Sequence, residues 1–145
     1  MAADPGKITY ALIVEDDQNL GNVFTEALRR AGYETTTVMD GQSALAHMAD
    51  NTPNMVVLDL HLPDVPGERV LRWMREQGRF DPTWVIVASA DARLADELRD
   101  RADLVLVKPV GFNQLRELAQ RLRPNITRTM AGDDTLPGGD PTQIG

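Results

Sequence analysis

Four short apolar runs and one alternating run recur along this sequence, with stretches of helical periodicity between them. The runs are 7–14 (KITYALIV), 33–38 (YETTTV), 55–58 (MVVL), 83–88 (TWVIVA) and 104–107 (LVLV). A strand that is apolar on both faces must be covered on both faces, which is the condition of a parallel sheet wrapped by crossover helices. The intervening segments supply such helices. Leu20, Val23, Phe24, Ala27, Leu28 and Ala31 make one apolar stripe, and Gly32 follows as a residue free to end the helix in the left-handed conformation. Residues 41–50 read as a helix capped by Asp40. After the loop HLPDVPG comes a helix with Val70, Leu71 and Met74 on one face and Gly78 at its end. Residues 91–100 form a weak helix with only Leu94, Ala95 and Leu98 as apolar contacts, and residues 111–122 a helix with Leu115, Leu118, Ala119 and Leu122 inward. The pattern predicts an α/β fold: a doubly wound, five-stranded parallel sheet of the (βα)5 type.

Composition narrows the function. The net charge is −7 and the pI about 4.7, so general binding to nucleic-acid phosphates, which rests on Lys and Arg, is not expected. There is no cysteine, which excludes disulfides and thiolate metal sites, and the two histidines, His47 and His61, are too few for a His-rich one. No apolar run approaches the roughly 18 residues of a membrane helix, and the N-terminus has no basic stretch ahead of an apolar one, so a cytoplasmic location away from membranes is expected. Residues 1–6 read as an N-terminal extension and 7–123 as the folded domain. Residues 124–145, rich in Gly, Pro, Asp and Thr without apolar period, read as a disordered tail or linker stub.

In a parallel sheet, ligands bind beyond the carboxyl ends of the strands. The first strand ends in Glu15-Asp16-Asp17, the third in Asp59, the fourth in Ser89-Ala90 and the fifth in Lys108-Pro109. Carboxylates collected in one cleft repel one another, each close pair by about 4 kcal/mol at an effective dielectric near 20. A hard divalent cation with oxygen ligands relieves that repulsion, and Mg2+ suits a few carboxylates with a backbone carbonyl and water. A carboxylate beside Mg2+ is a competent nucleophile toward phosphorus, and a lysine and a hydroxyl opposite it are suitable donors for phosphoryl oxygens.

LIVEDD, VVLDLHLPDVPG, VIVASA and LVLVKPV, in this order, resemble the receiver domain of two-component response regulators, a CheY-like family, over residues 7–123. The resemblance implies a flavodoxin-like strand order 2-1-3-4-5. It implies that Asp59 is the phosphoacceptor, charged by a sensor histidine kinase or a histidine phosphotransfer protein. It implies Mg2+ held by Glu15, Asp16, Asp59 and the backbone carbonyl of His61, with Asp16 the closer of the acidic pair. Ser89 corresponds to the hydroxyl that turns toward the phosphoryl group, and Lys108 to the lysine that neutralises it. The Lys108–Pro109 bond is expected to be cis. Output through partner binding is expected on the face of helix four, strand five and helix five, from a monomer or weak dimer. Such a domain is no enzyme beyond self-phosphorylation from small phosphodonors and slow autodephosphorylation.

The sequence departs from the family where signals are read out. The aromatic usual three residues before the lysine is Val105, the stretch from Ser89 to Lys108 is shortened, and Arg101 stands in place of a common Gly. Trp84 stands where a proline often opens strand four, and no output domain is recognised in this chain. These departures lend some support to the alternative of a phosphate-independent pseudo-receiver, an interaction module. A phosphatase with an aspartyl nucleophile would need a second acid near it and a cap, and residue 61 is a histidine. Among single residues, Asp17 reads as the cap of the first helix, with an outer metal role as the alternative. His47 reads as solvated and Asp64 as a structural loop carboxylate. Trp73 and Trp84 read as packing residues. His61 and Asp91 occupy positions that in this family tune dephosphorylation.

Overall fold

The computed structural model describes residues 8–123, and residues 9–122 form one compact unit. The expected extension at 1–6 and tail at 124–145 lie outside the described residues. The elements alternate: β1 (Tyr10–Val14), α1 (Gln18–Arg30), β2 (Glu34–Val38), α2 (Gly41–Asp50), β3 (Met55–Leu58), α3 (Gly67–Arg75), β4 (Trp84–Ser89), α4 (Ala92–Glu97), β5 (Leu104–Val107) and α5 (Phe112–Leu122). The five strands form a single parallel sheet in the order β2-β1-β3-β4-β5, as the resemblance implied.

The period of two along each strand divides the core. Leu12, Val14, Val56, Leu58, Val85 and Val87 face α2, α3 and α4, packing on Ala44, Met48, Val70, Leu71, Met74, Ala95 and Leu98. Their neighbours Ala11, Ile13, Met55, Val57, Ile86 and Ala88 face α1 and α5, packing on Phe24, Ala27, Leu28, Leu115 and Ala119. Continuous apolar runs are therefore the requirement of a sheet with two covered faces. β1 lies between β2 and β3; the β1–β2 connection runs through α1 on one face and the β2–β3 connection through α2 on the other, so the carboxyl ends of β1 and β3 flank the switch point of the topology.

Local signals are borne out at several ends. Asp17 caps α1 by accepting from the Leu20 amide at 3.0 Å, and Asp40 caps α2 by accepting from the Ser43 amide at 2.7 Å. Gly32 has φ of 100°, the left-handed turn after α1. The Lys108–Pro109 bond is cis. Other expectations need correction. Val23 is 38% exposed, because the α1 stripe bends toward β2 through Gly21 and Thr25 and leaves Val23 outside. Gly78 does not end α3; it opens a separate 3-10 turn, Gly78–Phe80, that plugs the core with Phe80. Trp84 is 38% exposed at the start of β4, whereas the Trp73 ring lies tilted against that of Phe80 with centroids 5.4 Å apart. His47 is no free surface residue: its Nε2 meets the Tyr10 hydroxyl, joining α2 to β1.

Candidate functional site

Glu15, Asp59 and Lys108 each sit one step beyond a strand and Ser89 is the last residue of one, so the sheet aligns them. The Asp59 amide donates to the Val14 carbonyl at 3.0 Å, extending the β1–β3 ladder into the site, and the Glu15 amide does the same toward Val38. The Lys108 amide donates to the Ser89 carbonyl at 2.8 Å, which draws the end of β5 level with the end of β4. Four segments remote in sequence are thereby brought to one edge.

Carboxylate oxygens of Glu15, Asp16 and Asp59 all lie within 4.8 Å of one another. Glu15 and Asp59 are buried, at 1% and 5% exposure, while Asp16 is exposed. Lys108 bridges the two buried acids: its Nζ lies 2.8 Å from Glu15 Oε1 and 3.6 Å from Asp59 Oδ2. The Asp17 amide donates to Glu15 Oε2 at 3.2 Å, and the His61 amide donates to Asp59 Oδ1 at 3.3 Å. Burial pushes the Glu15 carboxyl above its ordinary value; the hydrogen bond from Lys108 opposes this, and the neighbouring Asp59 charge adds to it. Three acids against one lysine leave an excess of negative charge at this edge, and two of the acids are buried. A small cation that prefers oxygen ligands matches that donor set. Asp17, engaged as the cap of α1, is not among the three clustered acids.

Ser89 is fully buried at the end of β4, and its Oγ accepts from the Asp91 amide at 3.0 Å. His61 Nε2 lies 3.8 Å from Asp91 Oδ2, so the two residues face each other from the loops after β3 and β4. The His61 side chain is largely exposed. Asp64 takes a positive φ of 60° and accepts from its neighbour Val65, a local turn contact that fits a structural role.

One contributor was missed by sequence reasoning. Gly67 begins α3 with its backbone pressed on the strand end: a Cβ there would lie 2.2 Å from the Asp59 carbonyl oxygen and 2.7 Å from Leu60 Cα. Its amide donates to the Leu60 carbonyl at 2.9 Å. The signal was present as Pro66-Gly67 ahead of a helix, but a turn glycine and a close-approach glycine look alike in sequence.

Comparison with known proteins agrees with this geometry. The family profile of the response regulator receiver domain matches residues 11–120. The transcriptional regulatory protein TrcR of Mycobacterium tuberculosis is 34% identical over an alignment covering 97% of this chain and 55% of its own length. The chain spans about half the length, or less, of the curated relatives it matches. Among solved structures, a CheY-like response regulator receiver domain from Methylobacillus flagellatus is similar with a TM-score of 0.71 and 29% identity, covering 80% of this chain and 99% of that one. The response regulator TrrA of Thermotoga maritima, solved in complex with Mg2+ and BeF, is similar with a TM-score of 0.70 and 27% identity, covering 79% of this chain and 99% of that one.

Proposed function

The chain belongs to the response regulator receiver family, whose members are phosphoacceptor signalling domains, and on that footing we propose that Asp59 accepts a phosphoryl group with Mg2+ as cofactor. The observation that carries this reading is the convergence of Asp59 with Glu15 and Asp16 from the end of β1 and Lys108 from the end of β5. In the proposed reaction an Asp59 carboxylate oxygen attacks the phosphorus of a phosphohistidine or a small acyl phosphate. The new O–P bond forms as the donor's N–P or O–P bond breaks, and the leaving group takes the electron pair. A histidine leaving group then takes its proton from solvent. Glu15, Asp16, Asp59 and the His61 backbone carbonyl would hold Mg2+, which would supply neutralisation of the charge gathered on carboxylates and phosphoryl oxygens.

The protein's own groups have separate tasks. Lys108 already faces Asp59, and its ammonium offsets the charge that the phosphoryl group adds. The His61 amide fixes the orientation of the Asp59 carboxylate. Ser89 supplies a hydroxyl at the adjacent strand end. The phosphodonor is a sensor histidine kinase or histidine phosphotransfer protein, and output is by partner binding at the face of α4, β5 and α5.

Intact-mass spectrometry after incubation with Mg2+ and acetyl phosphate tests the reading. One added phosphoryl group on the wild type and none on Asp59→Asn is expected. Absence of an adduct under rapid quenching, together with no binding of Mg2+ or beryllofluoride, would refute it. The phosphate-independent module, favoured by Val105, would then take its place.

A further inference from the structure

The loop between β3 and α3, residues 59–66, carries two backbone groups of the site. The His61 amide donates to Asp59 Oδ1 at 3.3 Å, and the His61 carbonyl is the backbone oxygen proposed above for Mg2+. The far part of this loop rests on the start of α2. A Cβ on Gly41 would lie 2.1 Å from the Val65 carbonyl oxygen and 2.7 Å from Val65 Cβ. Gly41 has no positive φ, so lack of room, not backbone freedom, requires glycine there. Beside this contact Asp64 is held at φ of 60°, and its Oδ1 accepts from the Val65 amide and, at 3.4 Å, from the Gln42 amide of α2. Leu62 and Val65 pack on the apolar cluster below.

The start of α2 is itself anchored. Asp40 accepts from the Ser43 amide at 2.7 Å and from the Ser43 hydroxyl at 3.0 Å. Only Met39 and Asp40 separate α2 from β2, whose last residue, Val38, accepts from the Glu15 amide at 3.0 Å. The end of β1, with Glu15 and Asp16, and the loop with His61 are therefore tied together twice. One tie is direct, from the Asp59 amide to the Val14 carbonyl. The other runs around the acidic cluster through Val38, Gly41 and Val65.

We propose that Gly41 is a positioning residue for the Mg2+ site, with Asp64 as its polar clip: the close seating of α2 on Val65 sets where the His61 carbonyl and amide stand relative to Glu15 and Asp16. The proposal rests on the reading of this edge as a Mg2+ site. Mg2+ demands nearly ideal octahedral geometry, with ligands at about 2.0–2.1 Å, so a ligand displaced by an ångström is lost. Ordinary contact begins near 3.4 Å, so a methyl group at Gly41 must push Val65 and α2 apart by about 1 Å. Only Leu62, Pro63 and Asp64 lie between His61 and Val65, one with a ring-fixed φ and one held left-handed, so a shift at Val65 reaches His61.

Titration of the full chain with Mg2+ alone, followed by amide NMR at Asp59 and His61, tests this. Gly41→Ala should bind Mg2+ about tenfold more weakly, the scale of effect seen for groups that orient metal ligands. Its His61 amide resonance should be displaced before any metal is added. Asp64→Gly keeps the positive φ but loses the acceptor and should also bind more weakly. Asp64→Asn keeps both and should match the wild type. Tyr33→Phe removes a hydrogen bond remote from the loop, to the Ala119 carbonyl, and should keep wild-type affinity. Wild-type affinity in Gly41→Ala, or in Asp64→Gly where Gly41→Ala does not fold, would overturn the proposal and leave the Mg2+ reading intact. A loss in Tyr33→Phe as large as in Gly41→Ala would mean general loosening and would also overturn it. Failure of the wild type to bind Mg2+ would remove the Mg2+ reading, and the positioning role with it.

Discussion

Replacing Gly67 by alanine tests how the site is held in place. The added Cβ would start 2.2 Å from the Asp59 carbonyl oxygen, and ordinary contact begins near 3.4 Å, so the α3 start and the β3 end must separate. Both sides of the contact are backbone, and no flexible side chain can absorb the shift. Overpacking of this kind costs about 1–3 kcal/mol. Separation also stretches the Gly67 amide bond to Leu60, worth about 1 kcal/mol. Alanine's better helix propensity returns at most about 1 kcal/mol. The net expectation is a destabilisation of about 2 kcal/mol, seen as a urea midpoint lower by about 1 M. Gly21→Ala is the internal control. It lies inside α1, its Cβ would meet Thr37 at 3.6 Å and Glu15 at 4.0 Å, and both are ordinary contacts. That variant should gain about 0.5–1 kcal/mol. The same chemical change in two helices is thus expected to have opposite signs. Urea unfolding of both variants in chelator-containing buffer measures this. A Gly67→Ala protein as stable as the wild type would refute the close-approach argument, as would a Gly21→Ala protein destabilised to the same extent.

Other outcomes follow from contacts described above. The raised Glu15 carboxyl makes a stabilising contribution that is full below its ordinary value of 4.5 and is lost as pH rises through its folded value, because the charged form is the one burial disfavours. In metal-free buffer, the stability of Glu15→Gln relative to wild type should therefore increase across that window and then level off; a pH-independent difference would contradict it. Arg79 donates to carbonyls at the end of α2, including Met48, and to Thr52 Oγ1 at 2.9 Å, while its guanidinium lies 4.2 Å from the Phe80 ring centroid. Arg79→Ala should cost about 1–2 kcal/mol and shift the emission of nearby Trp73, with Arg79→Lys recovering only part. Tyr33→Phe removes the buried hydroxyl that donates to the Ala119 carbonyl at 2.8 Å and should cost about 1 kcal/mol by thermal or urea unfolding.

How legible each feature was depends on its range. The caps Asp17 and Asp40 act three residues away, so their meaning is contained in a short window. Val23 failed because helical periodicity locates a stripe but not its width, and that width is set by how β2 lies against α1. His47 was read as solvated because nothing in its own helix reveals Tyr10, which lies 37 residues away.

The sequence by itself determined the alternation of strands and helices and the two-sided burial of the sheet. Periodicity is a property of neighbouring residues, and burial on both faces leaves a continuous apolar run. It also placed Glu15, Asp16, Asp59, Ser89 and Lys108 at strand ends, since a polar residue after such a run has left the core. Only the tertiary structure decided what those groups do to one another. The Lys108 bridge spans 93 residues to Glu15, the Gly67 contact sets α3 against the Asp59 backbone, and Arg75 of α3 donates from Nε to the Arg101 carbonyl at 2.6 Å in the turn before β5. Distances of a few ångströms between such remote residues arise from strand register and helix packing, to which every residue of the core contributes. No local window of sequence contains that information.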